Sequence, residues 1–240
     1  TSALMALEAW AHSRIERGET FDKVLADVLG SPGSPAAYLL VAVDLLISHW
    51  PKSREASVPF LSCPELLCID RERHLHDNFE YPDFFGLKAL QKEPVGAVSI
   101  EKLKKRASRQ HTLEELLSQY AVFGPIELRE KISTLLRRAA ARLGPPDEQS
   151  DLGDPAFMVV HALNLIDPNN WHESSVSLPD GTQEIVHQYV PPETESRHLA
   201  PLRNAVRDKH TNTNMQFALG TALENQSRSS PNFAAAAVEW

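Results

Sequence analysis

Apolar positions recur at helical spacing through most of this chain, and their pattern predicts a run of helices divided by short breaks. In residues 2–17, Leu4, Leu7, Ala11 and Ile15 share one face, and Gly18 supplies a stop. A second helix to about Leu29, capped by Thr20, turns Phe21, Val24, Leu25 and Val28 inward. After the Gly30-Ser31-Pro32-Gly33 break, the segment 35–49 is apolar on every face, with Asp44 the one charged residue between Ala36 and Ile47. A helix of that kind has to be covered on all sides, and it falls short of the roughly 20 apolar residues that span a bilayer. Ser34 is its expected cap, Pro35 its first residue, and Trp50-Pro51 its end. This segment is expected to be the most buried element of the chain, with Leu40 and Leu46 both in the core.

Further along, a helix is predicted from Cys63 or Pro64 to about Leu75, and the aromatic stretch 78–98 reads as a loop ordered against the helices. Helicity resumes at Ser99 and continues through 113–122 and 125–143. The last of these is the clearest amphipathic case, with Leu128, Ile132, Leu135, Leu136, Ala139 and Leu143 on one stripe. Gly144-Pro145-Pro146 ends it, an acidic linker follows over 147–153, and Asp154 caps a helix from Pro155 to Ile166. After Trp171 the period changes. Val176 and Leu178 alternate with serines, Asp180-Gly181 makes a turn, and Glu184 to Val190 is rich in strand formers, which predicts a hairpin over 174–190 anchored by Trp171 and Tyr189. Helix returns over 193–209 and 213–226.

These elements predict a mostly α fold: an irregular α-α superhelix, or solenoid, of stacked helix pairs carrying one small β-hairpin. No period of 34 or 40 residues repeats in the letters, so the stack is irregular. The expected organisation is a helical stack over 1–146, a linker and continuing helix over 147–171, the hairpin over 172–192, and a C-terminal helical segment over 193–240. The chain opens in a helical pattern without an initiator methionine and closes in an alanine run, so we expect a piece of a longer protein.

Composition narrows the chemistry. Of the 240 residues, 42% are hydrophobic and 23% charged, as in ordinary folded proteins. A net charge of -8 opposes general affinity for nucleic acid. The two cysteines are too few for a disulfide framework, and with no signal peptide or membrane span they point to a cytoplasmic setting. Cys63 and Cys68 with His74 and His76 are zinc-type ligands at the wrong spacing: Cys68 and His74 fall on nearly opposite faces of one helix. They read as reduced core thiols. Asp44 is either a general base with a raised pKa or a buried carboxylate paired with Arg14 or with backbone. His161, between Val159 and Leu163, reads as a hydrogen-bonded core residue, and His172 belongs to no zinc or nucleophile motif. Two basic strips, Lys102, Lys104, Lys105, Arg106 and Arg109, then Lys131, Arg138 and Arg142, read as solvated faces or docking surfaces, with nucleic-acid contact as the rival. No phosphate-binding loop is present. The sequence therefore assigns no catalytic, cofactor-binding or metal-binding residue.

Three stretches carry a resemblance. Ala6-Leu7-Glu8-Ala9-Trp10, Ser34 through Val43, and Leu61-Ser62-Cys63-Pro64-Glu65-Leu66-Leu67 are similar to the helical region of large bacterial P-loop ATPases of the STAND-like, antiphage-defence kind. Asn164 through Trp171, followed by the hairpin, fits the same pattern. The resemblance covers roughly residues 2–190 and implies a sensing, scaffolding or coupling role, with ATP binding in another part of the chain. The expected function is thus a non-catalytic interaction and scaffold module whose partners are neighbouring domains or other proteins. An all-α enzyme using Asp44 or His161 is the first rival, marked by converging titratable groups in a pocket. A nucleic-acid surface is the second, and no membrane partner is expected.

Overall fold

A computed structural model describes residues 2–78, 105–147, 150, 152–177 and 182–196. Residues 1–192 form one unit and residues from Glu193 onward another. The second unit is described only for one helical turn, 193–196. The rest of the helix expected over 193–209, the helix expected over 213–226, nearly all of the aromatic stretch 78–98, and the turn at Asp180-Gly181 lie outside the described residues.

The first unit opens with α1 (Ser2–Glu16), α2 (Phe21–Leu29) and α3 (Tyr38–Ser48). The inward face of α2 is Phe21, Val24, Leu25 and Val28, as its spacing predicts. α3 starts three residues later than expected: Ser34 turns its hydroxyl back to the Ser31 carbonyl at 2.7 Å and does not cap, and 36–37 form a turn. From Val41 to Ile47 every residue of α3 is buried. It is enclosed by α1, α2 and the later elements α4 (Arg54–Leu61), α6 (Ala107–Gln110) and α7 (Leu113–Phe123). Its first turn is not enclosed, and Leu40 is 41% exposed. The expectation that Leu40 is a core residue is therefore wrong, because helix packing begins only one turn further on.

The sequence pattern does not mark α4, a short helix with Pro59 inside it. α5 (Pro64–Asn78) matches expectation and runs a turn longer. The predicted continuous helicity from Ser99 into 113 is interrupted, since His111 and Thr112 are extended between α6 and α7. There the Thr112 hydroxyl accepts the Glu115 backbone N–H, and the buried Asp70 carboxylate of α5 accepts the Leu113 N–H at 2.7 Å. Two of the four orphan donors of α7 are thereby satisfied.

α8 (Ile126–Leu143) buries Ile132, Leu136 and Ala139 of the expected stripe. In α9 (Pro155–Ile166) the side chain of Asp154 caps Ala156 N–H at 2.8 Å. α9 is the second buried helix. It packs on α5, α7 and α8, and α8 also reaches back to α4, so helices distant in sequence share one core with neighbouring pairs. Among the described residues the fold is mostly α with one two-stranded antiparallel sheet, as predicted. After a single 3-10 turn over Pro168–Asn170, β1 (Trp171–Ser177) pairs with β2 (Gln183–Tyr189) from Trp171↔Tyr189 to Ser177↔Gln183. Trp171 donates its indole N–H to the Leu165 carbonyl at 2.8 Å and lies against Tyr189, the expected anchor.

Candidate functional site

The densest group of titratable side chains lies where α1 crosses α3. Glu8 and His12 are four residues apart on α1 and therefore share a face, beside the inward stripe of Ala11 and Ile15. Across from them α3 presents Asp44. His12 Nε2 is 2.6 Å from Asp44 Oδ2, and His12 Nδ1 is 3.0 Å from His49 Nε2 at the end of α3. An ionised carboxylate only accepts, so His12 Nε2 carries the proton it gives to Asp44. Burial pushes the His49 imidazole down from its ordinary value, and His12 and Lys52 nearby add to this. Arg106, at the start of α6, forms an ion pair with Glu8. The Asp44 side chain is only 8% exposed, and its second oxygen, Oδ1, is buried and accepts no hydrogen bond from the described residues.

The partner of Asp44 is a correction to the sequence reading. Arg14 faces the other way: it holds Glu19 through two hydrogen bonds and Asp27 at 2.6 Å, and stacks over Trp10. A carboxylate buried by an apolar helix was visible in the sequence. Its partner on another helix was not, because His12 is separated from it by 32 residues.

The other candidates are dispersed. Neither Cys63 nor Cys68 is disulfide-bonded, and the Cys63 thiol, raised by burial, lies 3.5 Å from Glu65. Neither cysteine belongs to a group of three or more metal-type ligands among the described residues. His161 is buried on α9, 3.5 Å from Glu114 and edge-on to Tyr189. Burial raises the Glu114 carboxyl, but His161 and Arg71 outweigh it and hold the group below the ordinary carboxylate value. His172 is exposed on β1. In the basic strips, Lys102 and Lys104 lie outside the described residues, Arg106 turns inward to Glu8, and Arg142 pairs with Glu65 at 2.7 Å. Lys131 and Arg138 are exposed.

A cleft of about 660 Å³ opens between α8 and the end of α9, lined by Arg129, Ser133, Thr134, Arg137, Asn164 and Asn169. It is polar and well separated in sequence from the His12 cluster. No helix among the described residues is long and apolar enough to cross a membrane. In comparisons with known proteins, no family model, curated protein or solved structure matches the chain.

The hairpin is the other unusual surface. Residues Trp171, Glu173 and Ser175 share a face with Tyr189, His187 and Ile185. The first rungs of that face rest on the helices, with His187 edge-on to Phe123. Further out, Ile185 on the same face is 66% exposed, and Val176 and Val186 on the opposite face are exposed too. The ribbon is anchored at its base, and its outer rungs expose Val176, Ile185 and Val186.

Proposed function

We propose that this chain is a non-catalytic helical interaction module of a longer cytoplasmic bacterial ATPase of the antiphage-defence kind, and that its β-ribbon engages a protein partner. The observation that carries the reading is the ribbon itself. A two-stranded hairpin is marginal in water, yet this one exposes Ile185, Val176 and Val186, and among the described residues no third strand lies against either of its outer edges. Such edges accept an added strand, with main-chain hydrogen bonds giving affinity and the apolar side chains giving register. The partner is an extended segment of a neighbouring domain or protein. The helical unit below supplies a rigid mount through Trp171 and Tyr189. The resemblance of residues 2–190 supports placing the module beside a separate nucleotide-binding domain.

Recovery of the full reading frame, followed by binding measurements between this chain and the flanking domains, tests the proposal. Ile185→Lys with Val186→Lys should leave the helical unit folded and weaken the association about tenfold or more, the effect of losing central apolar contacts. Equal binding by the double variant rejects the ribbon as the interface. A reading frame without a nucleotide-binding domain rejects the ATPase context.

The chain of contacts from His49 through His12 to Asp44 favours a second reading, an all-α enzyme with Asp44 and His12 as an acid-base pair. Against it, the described cleft lies at α8 and α9. Turnover abolished by Asp44→Asn in a screen of hydrolase substrates would select this reading over the module.

A further inference from the structure

We infer that Glu8, His12 and Asp44 form a binding site for a single divalent transition-metal ion, of which Zn²⁺ is the best fit. The inference is independent of the ribbon and of the partner it engages. The three side chains bring one imidazole nitrogen and two carboxylate oxygens within 4.8 Å of one another. Ligands bound to one zinc ion at about 2.0–2.2 Å stand no more than roughly 4 Å apart, so side-chain rotations of under an ångström close the set. Two of the ligands are fixed by the four-residue spacing on α1, and the third by a buried helix, so the site is built on rigid elements.

A second observation points to a cation at the same place. Asp44 Oδ1 is buried without a hydrogen-bond partner among the described residues. A buried acceptor of this kind costs about 1–3 kcal/mol when nothing satisfies it, and an ion is one of the few things that can. The Glu8 side chain is 13% exposed and keeps its contact with Arg106, because a carboxylate has lone pairs for both a guanidinium and a metal.

The imidazole decides the metal class. Magnesium and calcium prefer all-oxygen sites, whereas a nitrogen with two carboxylates suits zinc and its neighbours. On binding, the single ring proton of His12 moves from Nε2 to Nδ1, and Nε2 becomes the ligand. His12 Nδ1–H then donates to His49 Nε2, 3.0 Å away, with the His49 proton on its own Nδ1, and this bond holds the ring in the ligating orientation. Three protein ligands leave a coordination position for water or a further group.

The test uses the full chain, stripped with a chelator and titrated with ZnCl₂ and, separately, MgCl₂ by calorimetry. The expected result is one zinc bound per chain at micromolar or tighter affinity, with no comparable binding of magnesium. His12→Ala and Glu8→Gln should each weaken zinc by about 10-fold or more, at least the loss that removing even an outer partner causes. Cys63→Ser with Cys68→Ser should leave it unchanged. Co²⁺ should give visible d–d absorption that His12→Ala removes. Asp44→Asn is read only if its melting curve shows it folded, because Glu8→Gln, at a less buried ligand, gives the same information. Absence of a stoichiometric zinc site overturns the assignment, as does zinc binding unaltered by both His12→Ala and Glu8→Gln.

Discussion

At the scale of single residues, burial separates side chains that look alike in sequence. Leu40 and Leu46 both belong to the apolar segment of α3, but Leu46 is fully buried and Leu40 is exposed. Leu46→Ala should cost about 2–5 kcal/mol through the cavity it leaves, whereas Leu40→Ala should cost about 0.5 kcal/mol or less. Urea unfolding of the two variants checks the difference, and equal costs would mean that the first turn of α3 is covered. Gly124 is a second case. It closes α7 with φ of -78°, so positive φ is not what it supplies. What it supplies is space: a Cβ there would stand 2.6 Å from Cα and 2.7 Å from the carbonyl oxygen of Tyr120. Tyr120 cannot move aside cheaply, because it is fully buried, packs edge-on to Trp50 and donates its hydroxyl to the Arg54 carbonyl. Gly124→Ala should lower stability by about 1–3 kcal/mol, the usual cost of overpacking. A thermal midpoint equal to the parent chain's would show that the α7 end relaxes freely.

At the scale of elements, the helices and the ribbon differ in what holds them. α7 begins where two independent caps meet, Thr112 from its own chain and Asp70 from α5. The ribbon depends on Trp171, whose indole reaches the end of α9 and whose ring lies on Tyr189. Trp171→Ala should therefore free the backbone amides of 183–189 to exchange quickly while those of α3 and α9 stay protected. Hydrogen exchange read by mass spectrometry decides this. Ribbon amides that stay as slow in the variant as in the parent would show that the cross-strand bonds alone suffice.

At the scale of the whole molecule, the ion pairs and a half-buried histidine set the response to pH. The Arg14 guanidinium holds the Glu19 carboxyl down to about 2, from an ordinary 4.5. Glu114 is held low as well, and burial lowers His49 from 6.5. In each case the unfolded chain binds more protons than the folded one between the folded and unfolded values, so stability rises with pH across that window. Asp70 acts in the opposite sense, since burial raises its carboxyl. The net expectation is full stability above pH 6.5, a first loss as His49 is forced to protonate, and a steeper loss from 4.5 downward. Glu19→Gln should flatten the profile between pH 2 and 4.5, and added salt should shrink the effect because the pair is partly solvated. Denaturation midpoints collected across pH measure this. A Glu19→Gln profile parallel to the parent chain's would mean that Arg14 contributes nothing through Glu19.

What the chain determines by itself is local. Apolar spacing placed the inward face of α2 and the stripe of α8, Asp154 and Pro155 marked the start of α9, and the change of period after Trp171 marked the ribbon. Each of these depends on residues within one or two turns of each other. α4 left no comparable sign, being eight residues long with a proline inside. The polar cluster was legible only as an anomaly, one carboxylate in an apolar helix. Which side chains meet it was decided by the crossing of α1 over α3 and by the approach of α6, contacts that span 32 to 98 residues of chain. Side-chain periodicity fixes which face of a helix is buried, but not which helix lies opposite. The meeting of Glu8, His12, Asp44 and His49 therefore belongs to the tertiary structure alone.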